Sequence, residues 1–417
     1  MKYILIGAGS RGMVYSTWAY RHGNEITAVA EIRPDRLAHA ARQLNVPKDC
    51  CFTDVRQLFA LGKIADAAII ATMDRDHYGH VMAALDCGYD ILLEKPISPD
   101  PRECIQIEAK ANELGRKITV CHVLRYTAFF SAIKDILDSG ELGRIVAIKH
   151  SENIGNYHMA HSFVRGNWRN DVLSSPIIMQ KSCHDLDILL WLTDSHCTRV
   201  ASFGSLSYFK ESNAPAGSAD RCCDCSVAEN CRFNAYKVYT PVLGQWPADV
   251  VCLEQTEEAL DQALRNGPYG RCVFRCDNNV CDHMSTIMEF ENGVTATFSL
   301  TAQTSDVHRH IHIMCEDGEI LADDEDKQIV IKRFVSNQAE SFETRTIHIR
   351  TNNSGHGGGD SGIMEDFSAC LSSEPGTTES RSSISRSVES HLMACAIEEA
   401  RLTGKVVNLK EYRASLS

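Results

Sequence analysis

Gly7-Ala8-Gly9-Ser10-Arg11-Gly12 follows directly on an apolar run, and Glu31 closes the next such run 19 residues after Gly12. This is the pattern of a dinucleotide-binding turn. The first glycine permits the tight turn, the second lets a pyrophosphate approach the backbone, and the third lets the following helix pack against the strand. The amides at the helix start, around Ser10 and Arg11, face the anion, and the Glu31 carboxylate accepts from ribose hydroxyls. A carboxylate there repels a 2′-phosphate, so NAD is expected over NADP, while Arg33 and Arg36 nearby keep NADP use open. A second cluster, Cys222-x2-Cys225-x5-Cys231, is followed about forty residues later by Cys272 and Cys276. Three thiols at knuckle spacing plus Cys272 would complete a tetrahedral structural zinc site, with Cys223 as the spare. The alternatives are an iron–sulfur cluster and reduced, unliganded thiols.

These residues need a scaffold, and the first 121 residues supply an alternating one. Runs at 2–6, 26–30, 67–71, 90–93 and 117–121 read as strands, with helical apolar spacing at 12–21, 34–44, 77–87 and 101–114 between them. Five βα steps make a doubly wound parallel sheet of Rossmann type, assigned to residues 1–122. Beyond it the alternation stops. After one helix at 129–139, strand-like runs appear at 145–151, 199–208, 286–291, 295–301, 308–315, 319–322 and 329–334, with Asn-Gly and Asp-Gly turns at 292–293 and 317–318. Residues 123–417 are therefore expected to form an α+β domain with a mainly antiparallel sheet. It carries a Cys-rich insertion at about 209–283, helical only at 253–264, and ends in a helix at 385–403 after a Ser/Thr-rich loop.

The 417 residues carry a formal net charge of -13 with no Lys/Arg run, which disfavours nucleic acid and anionic membrane surfaces as partners. The N-terminus lacks a signal-peptide pattern, and no run approaches the roughly 20 apolar residues of a membrane span. A soluble, cytoplasmic protein is expected, in which most of the 18 cysteines are small core residues.

Glu94-Lys95-Pro96 at the end of the fourth expected strand, the glycine fingerprint and His184-x-x-Asp187 together resemble the Gfo/Idh/MocA family of sugar and inositol oxidoreductases. The resemblance implies a Rossmann domain followed by a sheet domain that often assembles into homo-oligomers. It implies Lys95 as a catalytic residue at the reacting hydroxyl or carbonyl, Glu94 as its orienting group, and a Pro96 peptide that is often cis. It also implies His184 as the acid/base histidine, with Asp187 on the same helix face. Thr72 and His77 correspond to the loop over the nicotinamide ribose. Arg125, Tyr126, Trp168 and Arg169 correspond to substrate-lining positions. Where many family dehydrogenases carry an Asp four residues before the histidine, this chain has Gln180, followed by Lys181; an amide is no base, so the proton relay either differs from the family's or rests on His184 and its neighbours.

Other histidines read differently. His158 and His161 fit a pocket wall, and no metal is assigned to them. His308, His310 and His312 alternate on a strand and share one face, which fits a sheet surface or subunit interface. The Gly-rich loop 355–360 could cover the pocket. Three functions fit these residues: an NAD-dependent dehydrogenase of a sugar or polyol; an NAD-dependent glycosidase that oxidises a sugar, eliminates the aglycone, adds water and returns the hydride; and a non-catalytic cofactor-binding protein, against which the intact Glu94-Lys95-Pro96 argues.

Overall fold

The computed structural model describes residues 1–336, 341–350, 355–374 and 378–416. Part of the Ser/Thr-rich loop before the last helix falls outside them. Strands β1 (Lys2–Ile6), β2 (Glu25–Ala30), β3 (Cys51–Phe52), β4 (Ala67–Ile70), β5 (Asp90–Leu93) and β6 (Ile118–Val120) form one parallel sheet in the order β3-β2-β1-β4-β5-β6. The strands are short apolar runs because both faces are covered by helices. Ile4 and Ile6 pack on one side and Tyr3 and Leu5 on the other, all of them buried. Strand order reverses between β1 and β4. The crevice above their carboxyl ends is therefore where such a sheet binds ligands, and Gly7, Thr72 and Lys95 all follow strands that end there.

The second sheet contains β7 (Ile145–Asn153), β8 (Cys197–Ser205), β9 (His283–Phe290), β10 (Thr295–Thr301), β11 (His308–Cys315), β12 (Gly318–Asp323), β13 (Gln328–Phe334), β14 (Phe342–His348) and β15 (Val407–Asn408). Its order is β14-β13-β12-β11-β7-β10-β9-β8-β15. Neighbours pair antiparallel except β7 with β10, so the sheet is mixed and mostly antiparallel. Strand β14 escapes the sequence pattern because it is exposed along nearly its whole length and shows no alternation.

Two features depart from the expected organisation. The helix Gly359–Ser372 buries Ile363, Met364 and Phe367 against the Rossmann sheet, with the Phe367 ring 6.3 Å from that of Tyr3. Ile384, Val388 and Leu392 of the helix Ile384–Thr403 join the core on the sheet's other face, and Val120 N–H donates to the Ser382 carbonyl at 2.8 Å. The C-terminal part of the chain thus returns to complete the first domain's core. The insertion also holds a small core of its own, formed by Ala235, Tyr239, Ala248, Leu260, Leu264 and Tyr269.

Phe367→Ala should therefore destabilise the Rossmann domain by about 3–5 kcal/mol, read as a lowered urea midpoint with reduced NAD-binding amplitude. An unchanged midpoint would show that this helix is not part of that core.

Candidate functional site

The cofactor crevice is built from backbone. Gly7 has φ +89°, and a Cβ there would stand 2.5 Å from the Ala71 carbonyl oxygen; one on Gly12 would stand 2.0 Å from the Gly7 carbonyl oxygen. Neither position can carry a side chain without moving the turn. At Gly9 the space is open, its only near neighbour being the Arg36 guanidinium at 3.7 Å. The helix Ser10–Arg21 begins there with no side-chain cap, leaving its first amides for an anion. Glu31 is 8% exposed and accepts from Ala8 N–H at 2.8 Å and Arg33 N–H at 2.9 Å, so its carboxylate stands beside the glycine turn. The Arg33 side chain pairs with Asp35 at 2.6 Å. An open turn, free amides and a fixed carboxylate fit a dinucleotide.

The Arg11 side chain turns to two acids. Its Nε donates to Glu94 at 2.8 Å and its terminal nitrogens donate to Asp360 at 2.6 and 3.1 Å, so two carboxylates occupy it. Glu94 also accepts from Tyr15 Oη at 2.8 Å and from Lys95 N–H at 2.7 Å. Burial alone would raise its pKa, but the charges of Arg11 and Lys95 outweigh that and hold it below the usual carboxylate range. Pro96 follows through a cis peptide. His77 is buried, with Nδ1 2.7 Å from the Pro96 carbonyl and Nε2 3.2 Å from that of Thr72. It braces two loops. Thr72 Oγ1 lies 3.1 Å from His80 Nδ1.

Lys95 Nζ crosses to the second domain and donates to the Gln180 carbonyl at 2.8 Å. Four residues on, His184 lies in the helix Cys183–Thr193, 7% exposed, with a buried Nδ1 that has no protein partner. Burial, then the charge of Lys95, pushes its pKa well below 6.5, so the imidazole is neutral. His158 stands in a similar state: its Nδ1 is unpartnered, and burial and then Lys181 push it down. Lys181 pairs with Glu152 at 3.1 Å, Arg309 bridges Glu152 and Asp185, and Asp185 accepts from His150 at 2.8 Å. The floor below His184 is therefore a buried set of alternating charges.

Several expected substrate contacts are already engaged. Asp187 takes both nitrogens of Arg125 in a fork at 2.6 and 2.7 Å, with both side chains buried. Tyr126 Oη lies 2.9 Å from both Asp366 and Ser382, and Arg169 pairs with Asp277 at 2.7 Å. These side chains hold elements together. The Gln180 amide donates to the Ser175 carbonyl. Trp168 remains available at 37% exposure, its ring 6.3 Å from that of Phe163. The insertion adds aromatic neighbours: Tyr239 Oη lies 2.9 Å from His161 Nδ1, the Tyr269 ring stacks on His161 at 4.8 Å, and Trp246 meets His158 edge-on at 5.0 Å.

His122 went unnoticed in the sequence. Just after β6, it meets His184 edge-on at 5.7 Å and His391 at 5.5 Å, its Nε2 lies 3.9 Å from Asp187, and neither of its nitrogens has a hydrogen-bond partner among the described residues. Its place after a strand, like that of Lys95, was the available signal. His391 accepts from Ile97 N–H at 2.9 Å and donates from Nδ1 to the Ser387 carbonyl at 2.8 Å, which fixes its tautomer.

Residues 1–122 match the model of the Gfo/Idh/MocA oxidoreductase family, NAD-binding Rossmann fold, and residues 134–409 match that family's C-terminal alpha/beta domain. The chain belongs to this family. It is 24% identical over 361 residues to the putative oxidoreductase YteT of Bacillus subtilis, covering 82% of each chain. It is 28% identical over 218 residues to inositol 2-dehydrogenase 4 of Saccharopolyspora erythraea, covering 52% of this chain and 60% of that one. In fold it resembles a levoglucosan dehydrogenase solved with NADH, with TM-score 0.72, 16% identity, and coverage of 98% of this chain and 99% of that one. It also resembles the UDP-N-acetylglucosamine 3-dehydrogenase GnnA of Acidithiobacillus ferrooxidans, with TM-score 0.66, 15% identity, and 97% and 98% coverage. The family is NAD-binding and sugar- and polyol-dehydrogenase-like, and its C-terminal model spans both Gln180 and the Cys-rich insertion. No helix among the described residues is long and apolar enough to cross a membrane.

The buried histidines give the family fold here a pH-dependent stability. Burial pushes His122 down to about 4 and His391 to about 3. Unfolded, each takes up a proton near 6.5; folded, neither does until far lower. Stability is therefore full above about pH 7 and falls as pH drops through 6.5 toward 5, by up to about 1.4 kcal/mol per pH unit per histidine. Urea midpoints across pH 7.5 to 5 check this. A flat profile would mean these rings are protonated in the fold.

Proposed function

We propose that this chain is an NAD-dependent dehydrogenase moving hydride between the nicotinamide and a carbinol of a sugar or polyol, with Lys95 and His184 on the reacting hydroxyl. The carrying observation is that Lys95, at the crevice edge, reaches the Gln180 carbonyl four residues before His184, whose imidazole its charge helps to keep neutral and whose Nδ1 has no partner among the described residues. The named relatives, inositol and levoglucosan dehydrogenases, support the substrate class. When bound, NAD supplies the hydride acceptor. Neutral His184 accepts the hydroxyl proton, and the Lys95 ammonium donates a hydrogen bond to the same oxygen and stabilises the negative charge that builds there. Glu94 holds the Lys95 backbone amide and so sets where its side chain begins. Gln180 supplies its main-chain oxygen to Lys95, and its side chain takes no proton. Trp168, with the insertion's aromatic rings beyond His161, gives the substrate's apolar ring face a surface to rest on.

Lys95→Ala and His184→Ala should each lower kcat by about 10² to 10⁴ while NAD affinity by calorimetry stays within a few-fold. The assay offers inositols, free sugars and aryl glycosides with NAD and follows NADH and aglycone together. Near-normal turnover in both variants would sink the assignment, and aglycone release without net NADH would replace the dehydrogenase by the redox glycosidase. Because the His184 pKa is depressed, its neutral form persists in acid, so kcat/KM should not fall on the acid side until well below pH 6.5.

Glu31 makes a separate expectation. The wild type should bind NAD more tightly than NADP, and Glu31→Gln should narrow that gap by about tenfold, ~1.4 kcal/mol. Stronger binding of NADP than of NAD by the wild type would mean that Arg33 or Arg36 outweighs the carboxylate.

A further inference from the structure

Two groups of side chains of metal-binding type lie outside the cleft. Cys222, Cys225, Cys231 and Cys272, the zinc ligands expected from the sequence, line one pocket of the insertion together with Arg165, whose guanidinium donates to Cys222 Sγ at 3.5 Å. The other group stands on the second sheet, where ligating atoms of His308, His310 and Asp323 lie within 4.8 Å of one another.

Strand alternation builds this second group. Arg309, Ile311 and Ile313 of β11 are buried, and His308, His310 and His312 between them face the other side of the sheet. Pairing then adds neighbours: Asn153 of β7 stands opposite His308, and Asp323 of β12 opposite His310. The His308 and His310 rings meet edge-on with centroids 4.6 Å apart. His312 belongs to the same row but is engaged by Glu319, 2.7 Å from its Nε2.

The positions of the protons decide what the pair can hold. His310 Nδ1 donates to Asp323 Oδ2 at 2.6 Å, and Asp323 Oδ1 accepts from Glu325 N–H at 2.8 Å, so the carboxylate is fixed. A neutral His310 therefore keeps its lone pair on Nε2. His308 Nδ1 lies 3.5 Å from the Glu325 carboxylate, which favours a proton on that nitrogen and a lone pair on its Nε2 as well. The two Nε2 atoms are 2.9 Å apart. Lone pairs facing each other at that distance repel unless a cation lies between them. Two bonds of about 2.0–2.1 Å to one metal ion put their nitrogens about 2.9 Å apart at a right angle and about 3.3 Å apart at the tetrahedral angle. The rings thus already stand at the spacing of neighbouring ligands, and each has a carboxylate at its far nitrogen, the usual support of a metal-binding histidine. The Asn153 amide lies 2.9 Å from His308 Nε2. A half-turn exchanges its nitrogen and oxygen, so it serves as a donor to the free ring or as an oxygen beside the ion.

We propose that His308 and His310 bind a divalent first-row transition-metal cation through their Nε2 atoms, with Asp323 and Glu325 orienting the rings. Imidazole suits nickel, copper and zinc, whereas magnesium takes oxygen ligands. The ion ties β11 to its neighbours on the exposed face of the sheet, and because His310 is half-exposed, solvent reaches the remaining coordination positions.

The test is calorimetric titration of Ni2+ into the full chain after chelator treatment and dialysis, with Mg2+ as the control. The expected result is a Ni2+ site that Mg2+ does not fill. His308→Ala and His310→Ala should each weaken it by about tenfold or more, whereas His312→Ala, on the same row, and Cys225→Ser should leave it unchanged. Asp323→Asn keeps both ligands and nearly the same shape. It should weaken the site by about 10- to 100-fold, a readout that stands even if the alanine variants fail to fold. Absence of Ni2+ binding would overturn the proposal and leave a shared proton between the rings. Binding that is indifferent to all three substitutions would overturn it too, as would loss of the site in Cys225→Ser alone, which would assign the ion to the insertion.

Discussion

The arrangement of the site depends on one buried carboxylate. Glu94 directly follows β5 and lies between the Arg11 guanidinium, the Tyr15 hydroxyl and the Lys95 amide. Arg11 and Tyr15 lie in the helix whose start faces the cofactor, and Arg11 continues to Asp360 in a helix from the far end of the chain. A charge in this position is tolerable only while all its partners are present, because burial opposes ionisation and Arg11 and Lys95 outweigh it. The cofactor turn, the root of Lys95 and the C-terminal closure of the Rossmann core are thus fixed relative to one another by a single set of hydrogen bonds.

The second domain presents His184 on a comparable foundation. From Cys183 to Leu190 the helix is buried at every position, so it cannot be held by an apolar stripe alone. Asp187 is matched by Arg125, and Asp185 by Arg309 and His150. Each acid has its base, and the histidine that precedes them is left neutral. An ionised His184 would add a second positive charge beside Lys95 in a dry site; the same burial that makes it a usable base at neutral pH makes that state unfavourable.

How far the sequence could be read follows from how local each signal was. The glycine turn, Glu31 and the βα alternation are written in contiguous residues, and strands such as β1, β10 and β11 emerge at the expected positions. The helix expected at 253–264 begins at Glu257 because Thr256 caps it, accepting from Ala259 N–H at 3.2 Å; apolar spacing alone did not register that stop. Arg125, Tyr126, Arg169 and Asp187 are held by distant partners that the sequence does not show. For Arg125 that partner lies 62 residues away. His391 and Arg309 were missed for the same reason, each being drawn to the site from a separate strand or helix.

The division of labour within the fold explains why the substrate is harder to read than the chemistry. Hydride and proton transfer need only the crevice edge and one histidine, and both belong to elements whose sequence signals are strong. In the proposed reaction substrate shape would be met elsewhere: His158 and His161 lie in a segment backed by Tyr239, Trp246 and Tyr269 of the insertion. A wall built from a loop-rich insertion can change its contour without disturbing Glu94 or the glycine turn, because no residue of that wall joins either hydrogen-bond set. Selection of substrate and execution of chemistry are therefore separable in this chain, with Arg165 joining the wall to the interior of the insertion.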